Sequence, residues 1–244
     1  MGSFQRRADE LFPGHVEEKA FVEATARLLL PLGFSPKTAI ACVGVCRDEV
    51  SHPMIDHVIG VWGQAFNFAS LGGMLTLGKT GFGAAHAHSP RSPEDGGRER
   101  YVYYCMPHIG IGPEGEVGKV ARLHRPGAST ACGALAAFQG ELASGEMSFG
   151  FDDGDPEQSL LRERLSRRLK WGQTPDLLDV TRLAHKVILE DLERTIEATV
   201  DLGKADYAVF SGIQIHGPER VNHVWPGPMY AVVAGDRKDL SLPA

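Results

Sequence analysis

Ala39-Ile40-Ala41-Cys42-Val43-Gly44-Val45 is a continuous apolar run that opens directly onto Cys46-Arg47-Asp48-Glu49. A run of that length without polar alternation suits a strand buried on both faces, as in a parallel sheet covered by helices. The change to charged residues marks its carboxyl end, where open α/β sheets build their sites. Upstream, Val16 to Leu30 places Phe21, Ala24, Leu28 and Leu29 at helical spacing before Pro31 and Gly33 end the pattern. Downstream, Val58, Ile59, Trp62, Phe66 and Leu71 predict a helix from Asp56 to Leu71, and seven glycines between Gly72 and Gly97 predict a long loop.

Tyr101 to Ile111 reads as a second strand carrying Cys105 and His108, and Gly112-Pro113-Glu114-Gly115 as the turn of a hairpin returning through Val117 to Leu123. Ser129 or Thr130 then caps a helix through Ala137. Two amphipathic helices, Pro156 to Leu169 and Asp176 to Leu202, precede strands at Tyr207 to Ile215 and Met229 to Ala234. These elements predict one α/β domain over residues 1–244, with a mostly parallel central sheet and helices on both faces.

The 244 residues are 43% hydrophobic, enough to bury a full core. The net charge is -6, and the basic residues are scattered without aromatic platforms, which argues against nucleic acid as a partner. No stretch approaches the roughly 20 apolar residues of a membrane span, and Met-Gly-Ser-Phe-Gln-Arg-Arg has no apolar signal core, so a cytoplasmic protein is expected. Four cysteines, at 42, 46, 105 and 132, are too few for a disulfide scaffold and are expected to be reduced.

Thiols with histidines in reach suggest a metal. Catalytic zinc takes three protein ligands and keeps a fourth position for water. Cys46 at a strand's carboxyl end, His108 on another strand and Cys132 at a helix start fit that count, and the helix dipole favours a thiolate at Cys132. Cys42 and Cys105 lie within their strands and are read as core.

Cys42-Val-Gly-Val-Cys-Arg-Asp-Glu, Gly78-Lys-Thr-Gly-Phe-Gly-Ala-Ala-His-Ala-His, Arg98-Glu-Arg-Tyr, Met106-Pro-His and Ala131-Cys-Gly-Ala resemble the limiting-CO2-inducible protein B family, over roughly residues 35 to 235. Active members of that family are theta-type carbonic anhydrases, similar in fold and metal site to the β-type enzymes. The resemblance implies Zn2+ on Cys46, His108 and Cys132, reversible hydration of carbon dioxide to bicarbonate, and a homodimer. It also implies that Asp48 either orients the zinc-held water or ligates zinc itself in a closed form. Zinc would acidify that water toward neutrality, less under two thiolates than under three imidazoles, so activity is expected to rise with pH.

The chain departs from the β-type pattern twice. In that pattern His and Cys are separated by two residues, whereas 23 residues separate His108 from Cys132, consistent with a hairpin inserted between Ile109 and Ser129. Val50 also stands where the pattern places an arginine to pair with the aspartate, leaving Arg47, Arg98 and Arg100 as candidates for that role. His86 or His88 is a candidate proton shuttle, since histidine titrates near neutrality. His15, His52, His57, His124, His185, His216 and His223 show no interpretable spacing.

Two other readings compete. Gly73-Met-Leu-Thr-Leu-Gly78-Lys79-Thr80 satisfies the phosphate-loop pattern of nucleotide-binding proteins, although it follows a helical pattern and enters Gly81-Phe-Gly83 where a helix should open. Gly110-Ile-Gly112-Pro-Glu-Gly115 fits a dinucleotide fingerprint, but a hairpin turn explains it better. A family member that binds zinc without turnover is the second alternative.

Overall fold

The computed structural model describes residues 2–91, 96–148 and 150–243. Its centre is a mixed sheet flanked by helices. Strands β1 (Val16–Glu17), β2 (Ile40–Gly44), β3 (Ala65–Asn67), β4 (Glu99–Cys105), β8 (Ala205–His216) and β9 (Asn222–Val233) lie in the order β1-β9-β8-β4-β2-β3. From β3 to β8 every pairing is parallel, and β5 (His108–Gly110) joins the far end of β8, also parallel. Beyond β8 the sheet turns antiparallel, through β9 and its partners β1 and β10 (Asp236–Asp239). Two further strands, β6 (Lys119–Ala121) and β7 (Ala128–Thr130), form a separate antiparallel hairpin.

Period-2 alternation divides the core. On β4, Val102 and Tyr104 meet α2 (Glu18–Leu29) and α3 (His52–Trp62) through Phe21, Val58 and Trp62. Tyr101, Tyr103 and Cys105 face the other way, into the layer built by α4 (Gly78–His86), α5 (Gly133–Ser144), α6 (Pro156–Ser166) and α7 (Leu177–Thr199). The buried Tyr104 hydroxyl ties its layer together, accepting from Trp62 Nε1 at 3.2 Å and lying 3.0 Å from Thr25 Oγ1. A smaller apolar cluster seats α1 (Ser3–Leu11) against Ile109, Ile111, Ile213 and Ile215.

Several expected boundaries move, each for a physical reason. The helix expected to reach Leu71 stops at Trp62, because Gly63 adopts φ 76° and its N–H closes on Ile59 O at 2.7 Å, freeing Ala65–Asn67 to pair with β2. The expected loop from Gly72 to Gly97 contains α4, since burial of Phe82 and Ala85 outweighs the poor helix propensity of its three glycines. Residues 92–95 of that loop lie outside the described residues. The expected strand Tyr101 to Ile111 is interrupted at Met106-Pro107. Ser129 and Thr130 do not cap a helix. They belong to β7, and Cys132 itself is the N-cap of α5.

Candidate metal centre

Cys46 lies two residues past the end of β2 and is pinned at the sheet's carboxyl edge by a bridge to Ser70, with Arg47 N–H donating to Ser70 O at 3.2 Å. Met106 N–H donates to Gly44 O at 2.9 Å, so the chain leaving β4 passes the same edge before it delivers His108 on β5. Gly73 is required there. A Cβ at this residue would stand 2.7 Å from Met106 O, and its φ is +75°. Cys132 comes in from the hairpin: Ala131 N–H donates to Gly118 O at 3.0 Å, and Gly110 N–H to Ala131 O at 3.1 Å.

These three routes converge. One ligand atom each of Cys46, His108 and Cys132 lies within 4.8 Å of the others, and all three residues are buried. The sulfurs are 3.7 Å apart, and neither nitrogen of His108 has a hydrogen-bond partner among the described residues. Buried polar nitrogens without partners are rare, and one nitrogen of this ring lies within 4.8 Å of both sulfurs. The hydrogen bond from Cys132 pulls the Cys46 thiol well below its ordinary pKa, burial opposes it, and His108 and the Asp48 N–H add to the pull. Cys132 moves upward in response, although the N–H groups of Leu135 and Ala134 at the start of α5 favour its thiolate. The group could hold a metal ion, which would neutralise both sulfurs at once.

Asp48 stands beside it, and its partner is Arg122. Arg122 Nη1 donates to Asp48 Oδ1 at 2.7 Å and Nη2 to Oδ2 at 2.8 Å, a fork that holds both carboxylate oxygens. The same guanidinium donates to Glu49, to Ser129 Oγ and, at 3.1 Å, to Thr130 O, so the hairpin strands β6 and β7 frame it. Burial would raise the Asp48 carboxyl, but the Arg122 hydrogen bonds and neighbouring positive charge outweigh it and hold the group below the usual carboxylate range.

None of the three arginines expected to partner Asp48 does so. Arg47 points outward onto Glu157, with Nη2 to Oε1 at 2.7 Å, and Glu157 in turn accepts from Leu71 N–H at 2.8 Å. Arg98 donates to Asp206 and to the backbone carbonyls of Leu202, Gly203 and Ala205, and Arg100 lies 3.6 Å from the same aspartate. Arg122 carried no sequence signal, because its segment interrupts the pattern that would have located it.

The two candidate shuttle histidines lie on the helical layer. His86 is buried, stacked on Tyr101 and 2.6 Å from the Tyr103 hydroxyl, and burial lowers its pKa to about 4. His88 is exposed, its ring meeting the edge of Phe66. A third histidine without interpretable spacing, His216, sits 5.1 Å from His108 ring to ring. Burial, then His108, pushes its pKa down to about 3. His216, Arg122, Val50, Pro53 and Val120 line a cavity of about 300 Å3; none of Cys46, Asp48, His108 and Cys132 lines it, and it adjoins the site through His216, which contacts His108, and Arg122, which holds Asp48.

The phosphate-loop segment does open a helix, contrary to expectation. Its first amides are already engaged, however: Gly73 N–H donates to Ser70 O and Met74 N–H to Leu71 O. A phosphate loop follows a buried strand, whereas this segment starts at the end of the single helical turn Leu71–Gly73. No helix among the described residues is long and apolar enough to cross a membrane.

No curated protein sequence matches the chain. Among solved structures, the crystal structure of the limiting CO2-inducible protein LCIB is 34% identical, with a TM-score of 0.78 over 96% of this chain and 97% of that one. PtLCIB4, a homolog of LCIB, shares the fold at 21% identity, with a TM-score of 0.81 over 98% of this chain and 99% of that one. The family model for limiting CO2-inducible proteins B/C beta carbonic anhydrases matches residues 15–233. With the Cys-His-Cys corner set at the carboxyl edge of a helix-flanked sheet, these likenesses agree that the chain belongs to the limiting CO2-inducible B/C beta carbonic anhydrase family.

Proposed function

We propose that this protein is a zinc-dependent carbonic anhydrase, interconverting carbon dioxide and water with bicarbonate and a proton, and that the whole chain acts as one zinc-binding domain. The observation that carries the reading is the buried group of two thiols and an imidazole whose ring nitrogens have no hydrogen-bond partner among the described residues. Its dimensions fit the ion: two sulfurs at about 2.3 Å from a tetrahedral zinc stand about 3.8 Å apart, against the 3.7 Å observed. Three protein ligands leave a fourth position for water, as a catalytic rather than a structural site requires.

When bound, zinc supplies an acidified water near neutral pH. The chain's own residues do the rest. Cys46 and Cys132 balance the ion's charge. Asp48 would be the carboxylate that accepts a hydrogen bond from water held on the metal and so orients it toward carbon dioxide. Both Asp48 oxygens already accept from Arg122, which supports an orienting role over direct ligation. The neighbouring cavity, with apolar Val50, Pro53 and Val120 beside the Arg122 guanidinium, suits entry of a small neutral gas and departure of an anion. Arg47 and His88 remain in the proposal only at its periphery, as an outer charge pair and an exposed base for handing protons to buffer. A cytoplasmic homodimer completes the reading, supported by the family likeness and tested by sedimentation analysis of the purified protein.

Measured zinc content and carbon dioxide hydration of the wild type and of Cys132→Ala test it. One zinc per chain with hydration, both lost in the variant, is expected. A wild type without zinc sinks the reading, and zinc without hydration leaves a non-catalytic zinc-binding member.

A further inference from the structure

His108, Gln214 and Glu18 are all buried, and each carries a polar atom without a hydrogen-bond partner among the described residues. They also follow one another in space. Gln214 on β8 is in register with His108 on β5, so the two side chains leave adjacent strands on the same face. Gln214 Nε2 donates to Glu18 Oε2, at the start of α2, at 2.9 Å. That orientation turns Gln214 Oε1 away from the carboxyl, and Oε1 is one of the atoms left unpartnered.

An imidazole that gives one nitrogen to a metal carries its proton on the other, and the acceptor of that N–H fixes the tautomer and the ring's aim. His216, 5.1 Å from His108 ring to ring, and Gln214, in register with it, both carry atoms able to accept. His216 is engaged already, its Nδ1 2.9 Å from Asn222 Oδ1 and its Nε2 3.5 Å from Ser51 Oγ. Gln214 Oε1 is an unpartnered acceptor on the strand next to His108, in register with it, and the two are not hydrogen-bonded to one another in the metal-free arrangement. Its backbone is held at the same place, since Gln214 N–H donates to Pro107 O, one residue before His108, at 3.0 Å.

We propose that Gln214 is a positioning residue of the metal centre: its Oε1 accepts the His108 N–H that faces away from the metal, and Glu18 holds the Gln214 amide in the orientation that makes this possible. The inference rests on the zinc reading above. Burial raises the Glu18 carboxyl to about 8, against the Gln214 hydrogen bond, so near neutral pH it orients the amide without adding a second buried negative charge. His57 Nε2, 3.7 Å from Glu18 Oε1, is the nearest charged-capable neighbour on α3.

The test is the zinc dissociation constant by chelator competition, with the absorption spectrum of the cobalt(II)-substituted protein as a second readout. Gln214→Met, which keeps the side chain's shape and removes the acceptor, is expected to weaken zinc by roughly 10- to 100-fold and to shift the cobalt bands. Gln214→Glu, which restores an acceptor, should recover most of the affinity. Gln214→Asn keeps the amide but shortens its reach, and provides a milder variant should Gln214→Met not fold; it should weaken zinc as well. Wild-type affinity and an unchanged cobalt spectrum in Gln214→Met or, where only that one folds, Gln214→Asn overturn the proposal. So does an equal loss in Gln214→Met and Gln214→Glu. A wild type that binds no zinc removes both this inference and the proposed function, whereas zinc held equally by wild type and variants removes this one alone.

Discussion

Two pairs of buried cysteines, one inside the sheet and one at its carboxyl edge, differ in almost every chemical respect. Cys42 and Cys105 sit inside β2 and β4, and burial drives both thiols up, Cys105 to about 12. Their surroundings are tight and apolar: a Cβ on Gly44 would stand 2.9 Å from Cys105 Sγ. Cys46 and Cys132 are buried too, yet they stand just past a strand end and at a helix N-cap, where Asp48, Ala134 and Leu135 turn N–H groups toward sulfur and His108 approaches. Burial alone makes a cysteine a small hydrophobe. Burial together with oriented donors makes it a metal ligand.

The sharpest way to break that contrast is Cys132→Ala, which removes one of three ligands; zinc and carbon dioxide hydration should both fall to background in metal analysis and stopped-flow assay. Arg122→Ala should act next most strongly. It frees Asp48 from its fork without touching a ligand, so zinc content is expected to hold while kcat/KM falls by roughly 100-fold. Retained activity would show that Asp48 needs no anchor.

Glu18 offers a contrast of charge rather than sulfur. Its folded pKa is raised from 4.5 to about 8, so the stability it contributes is full below pH 4.5 and is lost as pH rises through 8. In Glu18→Gln, a Tm series across that range should decline less steeply than in the wild type. Cys42→Ala should give the smallest effect: about 1 kcal/mol of stability by denaturant titration, with zinc content and hydration unchanged. Loss of metal in that variant would erase the distinction between the two pairs.

Much of this was readable before any fold was known, for identifiable reasons. The buried strand at Ile40–Gly44 announces itself by continuous apolarity, and the long helix Leu177–Thr199 by its periodicity. Cys46, His108 and Cys132 were singled out by residue type, by their places at element ends and by likeness to a known family. The α4 helix was hidden because its glycines obey local propensity only until Phe82 finds a core. Arg122 and Gln214 were hidden more completely. Arg122 reaches Asp48 across 74 residues, and Gln214 meets His108 through strand register.

Sequence alone therefore determined the central buried strand, the long helices and the parallel character of the sheet's centre, because hydrophobic period is a local property, while residue chemistry together with family resemblance singled out the three metal-ligand candidates. Tertiary structure decided which arginine holds Asp48, why two of four buried cysteines sit among oriented donors, and which buried amide faces His108. Those choices depend on where distant strands and a hairpin come to rest against one another, and side-chain pairing across such distances leaves no periodic trace along a chain.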